Sequence, residues 1–446
     1  MVKVILKHGR DESLRRFHPW VFSGAVAQVQ GSPAEGDIVG VFSAEGQFLA
    51  SGHWQIGSIA VRILSFDADP TAPEFWTDSI SRALQARIAV GLYSENAELS
   101  DAATAAENRS HPRLRKREGP ADAVSGRGPA QQDVFGGSSP LGSAFSGTTC
   151  FRLVHGEGDG LPGLIIDWYD GVCVLQAHSV GMFRAKMQIC EALKNVFGER
   201  LKAVYDKSSG TAPFKAGLEL IDGYLYKAPG FEASETVVLE NGRKFLVNWE
   251  EGQKTGFFLD QRDNRALVGK YAAGRRVLNL FCYTGGFSIY ALTAGAVQVD
   301  SVDSSARAMD MVERNIKLNV DEATYTNYCE DAIEFLRKTP EGKYDLMIVD
   351  PPAFAKHRGA LKNALRAYQR LNAAAIAKVA PGGLVFTFSC SQVVDKITFA
   401  NTVFSAAAQT GRSVRILDRL CQGADHPVSI YHPEGEYLKG LLLYVE

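Results

Sequence analysis

The sequence predicts an α/β protein in three parts: a small β-rich unit, a central α+β unit and a C-terminal doubly wound, Rossmann-like sheet. Three observations carry this expectation. From about residue 248 short apolar strand runs alternate with helical runs, the order of a parallel sheet covered on both faces. Residues 1 to about 71 show strand and turn signals instead. A length of 446 residues, at about 150 per domain, suits roughly three domains.

In the first unit, 1–71, "DIVGVFSAEGQFLASGHW" gives two strands around a Glu45–Gly46 turn, and "SIAVRILSF" gives another. Its opening sets Lys3, Lys7, Arg10, Arg15 and Arg16 against only Asp11 and Glu12, with Trp20 and Phe22 just after. Basic residues beside aromatics suit RNA, whose phosphates pair and whose bases stack. The alternative is a solvated basic edge over a core that holds both aromatics. The central unit, 72–247, opens with a helix at 75–93. Residues 94–147, rich in Ala, Gly, Ser and Pro, cannot bury enough apolar surface to offset chain entropy and predict a disordered insertion. Its "RLRKR" reads as a solvated charge run. "FRLVHGEGDGLPGLIIDWYDGVCVLQAHS" predicts a hairpin-rich sheet, followed by a helix at about 184–197 and strands to 247.

Composition narrows the function classes. With 46% apolar residues, 22% charged residues and a net charge of −2, the chain is globular, and any nucleic-acid surface must be local. The opening is too charged for a signal peptide and no run is long and apolar enough for a membrane span, so a cytoplasmic location is expected. Seven scattered cysteines, an odd number without a Cys-x-x-Cys pair, predict neither a disulfide scaffold nor a metal site.

In the last unit, 248–446, "RRVLNLF", "QVDSVD", "YDLMIVD" and "GGLVFTFS" are the strands, and ligands are expected at their carboxyl ends. "LNLFCYTGGFS" puts Gly285 and Gly286 between the first strand and its helix, where backbone can approach a ligand. Asp303, with Ser304 beside it, ends the second strand 18 residues beyond Gly285 and can accept ribose hydroxyls. The loop lacks the Gly-x-Gly-x-x-Gly that a pyrophosphate favours, so a nucleoside without phosphates, such as S-adenosylmethionine, fits better than NAD. Asp331 follows the third strand and can take the adenine amino group. Helix N-capping is the alternative for both acids.

"YDLMIVDPPAF" ends the fourth strand in Asp350, which Pro351 and Pro352 hold rigidly beside the cofactor's reactive end, so that it is expected to bind the cofactor as well. Cys390 ends the next strand in "FTFSCS", so both face one pocket. A thiol and a carboxylate beside a methyl donor suggest cytosine C5 methylation. C5 is too weak a nucleophile until a thiolate adds to C6, and Asp350 can hydrogen-bond N3 and the amine. Cys282 is the rival thiol; packing is the alternative for either. Phe354 is a candidate stacking wall for an unpaired or flipped base. From Pro351 to Val394 there is no acidic residue, while Arg358, Lys362, Arg366 and Arg370 recur every four on one helical face. Like charges so spaced repel, which a polyanion would relieve; a solvated face is the alternative.

"EEGQKTGFFLDQRDNR", "VLNLFCYTGGFSIYAL", "DPPAF", "FTFSCS" and "ADHPVSIYHPEGEYLKG" together resemble the large-subunit (23S) ribosomal RNA cytosine-C5 methyltransferase I family. The "RRFHPWVFSGAV" start resembles that family's PUA-type RNA-binding domain, and "GEGDGLPGLIIDWY" its central domain. The resemblance implies a class I methyltransferase fold and S-adenosylmethionine as cofactor. It further implies 23S ribosomal RNA, free or in a large-subunit assembly intermediate, as partner. It also implies that Phe258, Asp260 and Arg262 pack over the cofactor and that Asn279, Tyr283, Thr284 and Gly285 line its methionine part. Many RNA cytosine-C5 methyltransferases carry a second cysteine after the Asp-x-Pro turn. Ala353 stands there, as the family resembled also has it, which leaves the group assisting cysteine release unassigned. A 7-methylguanosine methyltransferase of the same fold is the first rival and needs no thiol. A nicotinamide oxidoreductase and a non-catalytic RNA-binding protein are the others, and a homodimer stays open.

Overall fold

The computed structural model describes residues 1–94, 147–213, 217–355 and 357–446. All but the end residues of the expected insertion, and the whole "RLRKR" run, lie outside the described residues. Strands β1 (Val2–Leu6), β2 (Trp20–Phe22), β3 (Val26–Gln30), β4 (Ile38–Phe42), β5 (Phe48–Trp54) and β6 (Ile59–Ser65) form one sheet in the order β2-β6-β5-β4-β1-β3. Alternating apolar residues, among them Val4, Leu6, Val39, Val41, Val61 and Ile63, close its core. Gly52 is obligatory in β5: a Cβ there would meet the Arg62 carbonyl oxygen at 2.1 Å.

The next helix is Phe75–Ala89, shorter than expected, because the chain turns at Gly91 in a left-handed conformation, φ 78°. The second sheet runs β11-β10-β9-β8-β7, with β7 (Cys150–His155), β8 (Leu164–Tyr169), β9 (Val172–Ala177), β10 (Ala203–Asp206) and β11 (Gly223–Lys227). The single helix expected at 184–197 is two, Val180–Arg184 and Lys186–Phe197. Ser179 caps the first by accepting the Met182 N–H.

A hairpin of β12 (Glu235–Glu240) and β13 (Arg243–Asn248) pairs only with itself. Its free edge is satisfied from the helix Ala306–Asn319: Asn315 accepts the Leu246 N–H at 2.8 Å and Asn319 the Lys244 N–H at 2.9 Å. Phe245 and Val247 share a core with Val277 and Val312. The hairpin therefore shares a core with the C-terminal unit as well as with central-sheet residues such as Cys150 and Tyr169.

The last sheet holds β14 (Arg276–Leu280), β15 (Gln298–Asp303), β16 (Tyr325–Cys329), β17 (Tyr344–Val349), β18 (Val379–Ser389), β19 (Val414–Leu420) and β20 (Lys439–Val445), in the order β16-β15-β14-β17-β18-β20-β19. β14 to β18 run parallel, and β20 inserts antiparallel between β18 and β19. The winding reverses between β14 and β17, so a ligand crevice is expected beyond those carboxyl ends.

Buried hydrogen bonds around one ion pair join the central part to the last. Asp425 accepts both terminal nitrogens of Arg262, at 2.8 and 2.9 Å, and the Arg152 N–H at 3.0 Å, while Arg87 donates to the Asp425 carbonyl at 2.8 Å. Among the described residues no helix is long and apolar enough to cross a membrane.

Candidate active site

The cofactor end is the loop after β14. Phe281 and Tyr283 sit in the left-handed region, φ 57° and 48°, and Gly285 follows at 83°. Strained non-glycine residues of this kind persist where surroundings hold them, commonly at functional sites. Asp303 holds this loop: it accepts the Tyr283 N–H and the Ser305 N–H, each at 3.0 Å. Ser304 lies between those contacts. Gly285 precedes the helix Gly286–Thr293, which has no side-chain N-cap, so its first N–H groups are not taken up by a capping side chain. A Cβ on Gly285 would meet Val312 at 3.1 Å, which keeps the position small.

Tyr283 ties the "GQKTGFF" segment over this loop. Its hydroxyl donates to the Gly256 carbonyl at 3.1 Å and accepts the Gln253 N–H at 2.9 Å, and its ring meets Phe258 edge-on at 5.1 Å. The Thr284 hydroxyl is buried with no partner among the described residues. These features fit a phosphate-free nucleoside methyl donor: an acid at the second strand, a bare helix N-terminus, a small-residue turn and an orphaned hydroxyl.

Two expected contacts are corrected. Arg262 is fully buried in its pair with Asp425 and fastens the C-terminal loop rather than facing a cofactor. Asn279 is also fully buried, donating to Ser288 at 2.9 Å beneath the loop. Asp331 caps the helix Ala332–Lys338 by accepting the Ile333 and Glu334 N–H groups, the alternative weighed for it. Asp303 likewise makes short-range backbone contacts, but at the loop that would carry the ligand.

The reaction end lies after β17 and β18. Val349 pairs with Thr387, so Asp350 and Cys390 emerge on adjacent parallel strands. The two loops are bonded, with the Ser391 hydroxyl donating to the Ala355 carbonyl at 2.6 Å. Gln261 donates to Asp350 at 2.9 Å, and Tyr437 donates to the neighbouring Asp260 at 2.7 Å. Asp260, expected at the cofactor, is thus drawn to the reaction end. Burial and then the Asp260 charge push the Asp350 carboxyl up to about 7, against the Gln261 hydrogen bond. Burial, then Asp350 and Asp260, push the half-buried Cys390 thiol up to about 11, while Lys439 pulls it down. The Phe354 ring packs against Tyr368 at 4.7 Å, tilted by 50°, and Ser389 donates to the Tyr368 hydroxyl at 3.0 Å.

Lys439 was missed by the sequence reading. It stands opposite Ser389, and its ammonium donates to the Ser391 and Val394 carbonyls at 2.6 Å each, closing the turn that begins at Cys390. The signal was a lysine inside an apolar strand, "YLKGLLLYV", which burial makes costly unless it is bonded. Burial lowers its pKa to about 8.

The two basic surfaces differ. Arg15 and Arg16 pair with Asp11 and Glu12 one helical turn back, and Lys7 donates to the Gly24 carbonyl. Arg10 is exposed. Trp20, expected to face RNA, is half-buried at a domain seam: its indole donates to Glu157 at 2.9 Å and its ring meets His432 at 4.4 Å. Arg358, Lys362, Arg366 and Arg370 are all exposed and make no ion pair with a described residue. The helix Leu361–Lys378 carries three of them outward and turns Tyr368 inward to the reaction loops.

Comparison with known proteins agrees with this geometry. A family model of S-adenosylmethionine-dependent methyltransferases matches residues 222–442, and one of PUA-like domains matches 4–66. "Ribosomal RNA large subunit methyltransferase I" of Aeromonas hydrophila is 36% identical over 99% of this chain and 98% of its own. That of Shewanella amazonensis is 35% identical over 100% and 99%. A solved structure from Streptococcus mutans, described as a candidate SAM-dependent methyltransferase, superposes over 100% of both chains with a TM-score of 0.73 at 19% identity, a likeness of fold. The architecture is therefore a SAM-methyltransferase fold behind an N-terminal PUA-like domain, its cofactor is S-adenosylmethionine, and the chain belongs to the ribosomal RNA large subunit methyltransferase I family.

Proposed function

We propose that this chain forms 5-methylcytosine in 23S ribosomal RNA, acting in the cytoplasm on free RNA or an assembling large subunit, with Cys390 as covalent nucleophile. The observation that carries the reading is a half-buried thiol and a carboxyl with a pKa near 7 on adjacent parallel strands, beside a methyl-donor loop.

Near neutral pH Asp350 is poised to gain or lose a proton. It takes the Cys390 proton and then, as a neutral acid, donates to N3 of the cytosine. Loss of the Asp350 charge removes the larger of the two repulsions that hold the thiol protonated, so the two events favour each other. The thiolate forms a bond to C6, and the C5–C6 π pair becomes available at C5. S-adenosylmethionine supplies the electrophilic methyl group that C5 takes up. A base then removes the C5 proton, the pair re-forms the C5–C6 double bond, and the sulfur leaves as thiolate toward the Lys439 ammonium. Phe354, backed by Tyr368, stacks on the base, and the Arg358 to Arg370 face holds the phosphates.

The competing product is 7-methylguanosine, whose nitrogen needs no thiol. Labelled S-adenosylmethionine incubated with undermodified ribosomal RNA, followed by nucleoside mass spectrometry, separates them: 5-methylcytidine is expected, and 7-methylguanosine would overturn the reading.

A further inference from the structure

We propose a zinc-type divalent metal site where the N-terminal sheet meets the C-terminal loop, ligated by His18, His432 and Glu434. One ligand atom from each lies within 4.8 Å of the other two. His432 Nε2 is 3.9 Å from Glu434 Oε2, and the His18 and His432 rings are 5.5 Å apart. Tetrahedral ligands at about 2.0–2.1 Å from zinc lie roughly 3.3 Å from one another, so small side-chain rotations close the set.

A second, independent feature points to a missing partner. His432 is only 3% exposed, yet neither ring nitrogen has a hydrogen-bond partner among the described residues. An orphaned buried imidazole is costly, and a metal bond would satisfy it. His18 can free one nitrogen for a metal: its Nδ1 lies 3.3 Å from the Trp20 carbonyl. An Nδ1–H donated there leaves the Nε2 lone pair free. The other tautomer accepts the Trp20 N–H at 3.2 Å, and metal binding would select the first. Glu434 is the exposed member, with 62% of its side chain in solvent, so a fourth position stays open to water. The consequence is mechanical. The metal would fasten the Trp20 segment to the loop leading to Tyr437 and Lys439, which touch Asp260 and the Cys390 turn.

Metal-stripped full-length protein titrated with Zn²⁺ by calorimetry, and with Co²⁺ by visible absorption, tests the site. One saturable site is expected, with a tetrahedral Co²⁺ spectrum lacking a thiolate band. Binding should weaken at least about tenfold in both His432→Asn and Glu434→Gln, the latter changing only an exposed side chain. Absence of saturable binding, or either variant binding like the wild type, would overturn the proposal. So would a thiolate band, which would assign the metal to a cysteine such as exposed Cys421.

Discussion

The loops after β14 and β18 each carry a cysteine at a strand end, and they differ in what surrounds the sulfur. Cys282 is buried; its N–H donates to the Val302 carbonyl at 3.1 Å, and burial and then Asp303 drive its thiol well up. No cation counters them. Cys390 is half-exposed; burial and then Asp350, itself held up to about 7, push its thiol up, and the Lys439 ammonium pulls it down. Under the proposed reading, access, a proton acceptor and a cation, rather than residue type alone, would set the nucleophile apart from a packing residue.

The largest effect is expected at Asp350. Asp350→Asn should slow methylation by about 10²–10⁴-fold, a far larger loss than any it causes in S-adenosylmethionine affinity. Its sign on the thiol is opposite to a general loss of function. Removing a like charge lowers the Cys390 pKa from about 11, so alkylation of this thiol should begin at lower pH, whereas Lys439→Met should delay it to higher pH. A Cys390 alkylation profile that ignores both changes would separate the thiol from its supposed partners.

At the cofactor end, Asp303→Ala should weaken S-adenosylmethionine binding by about 1–3 kcal/mol in calorimetry, the cost of losing a charged hydrogen-bonding group. Cys390→Ala should not. A smaller effect follows for RNA. Reversing Arg366 and Arg370 should weaken RNA affinity and reduce the slope of log affinity against log salt by about 1.4 or more. Reversing Arg15 and Arg16 should change it less, because Asp11 and Glu12 already neutralise them. A slope unchanged from the wild type on reversing Arg366 and Arg370 would make that face merely solvated. The smallest is Asp331→Ala, expected to cost about 1 kcal/mol of stability through its helix cap, read by denaturant unfolding.

Much of the fold was legible because the C-terminal strands are short apolar runs that are hard to mistake. The motif acids fell at strand ends for the same reason. The packing of the hairpin β12–β13 on the Ala306–Asn319 helix was not legible, because it runs through asparagine side chains that follow no local pattern. Arg262 looked like a cofactor residue because its partner, Asp425, lies far along the chain. His18 and His432 approach each other only through the fold, so cysteine spacing said nothing of them. Trp20 was read as an RNA contact from its basic neighbours, but its indole is taken up by Glu157.

The central claim is that Cys390 bonds to C6, and RNA containing 5-fluorocytosine tests it most directly, since fluorine cannot leave as the C5 proton does. With S-adenosylmethionine present, the wild type and Cys282→Ala should both form a denaturation-resistant protein–RNA complex, and Cys390→Ala should form none while binding cofactor normally. A Cys390→Ala protein that traps RNA or keeps near-normal turnover would contradict the account and leave that thiol as packing.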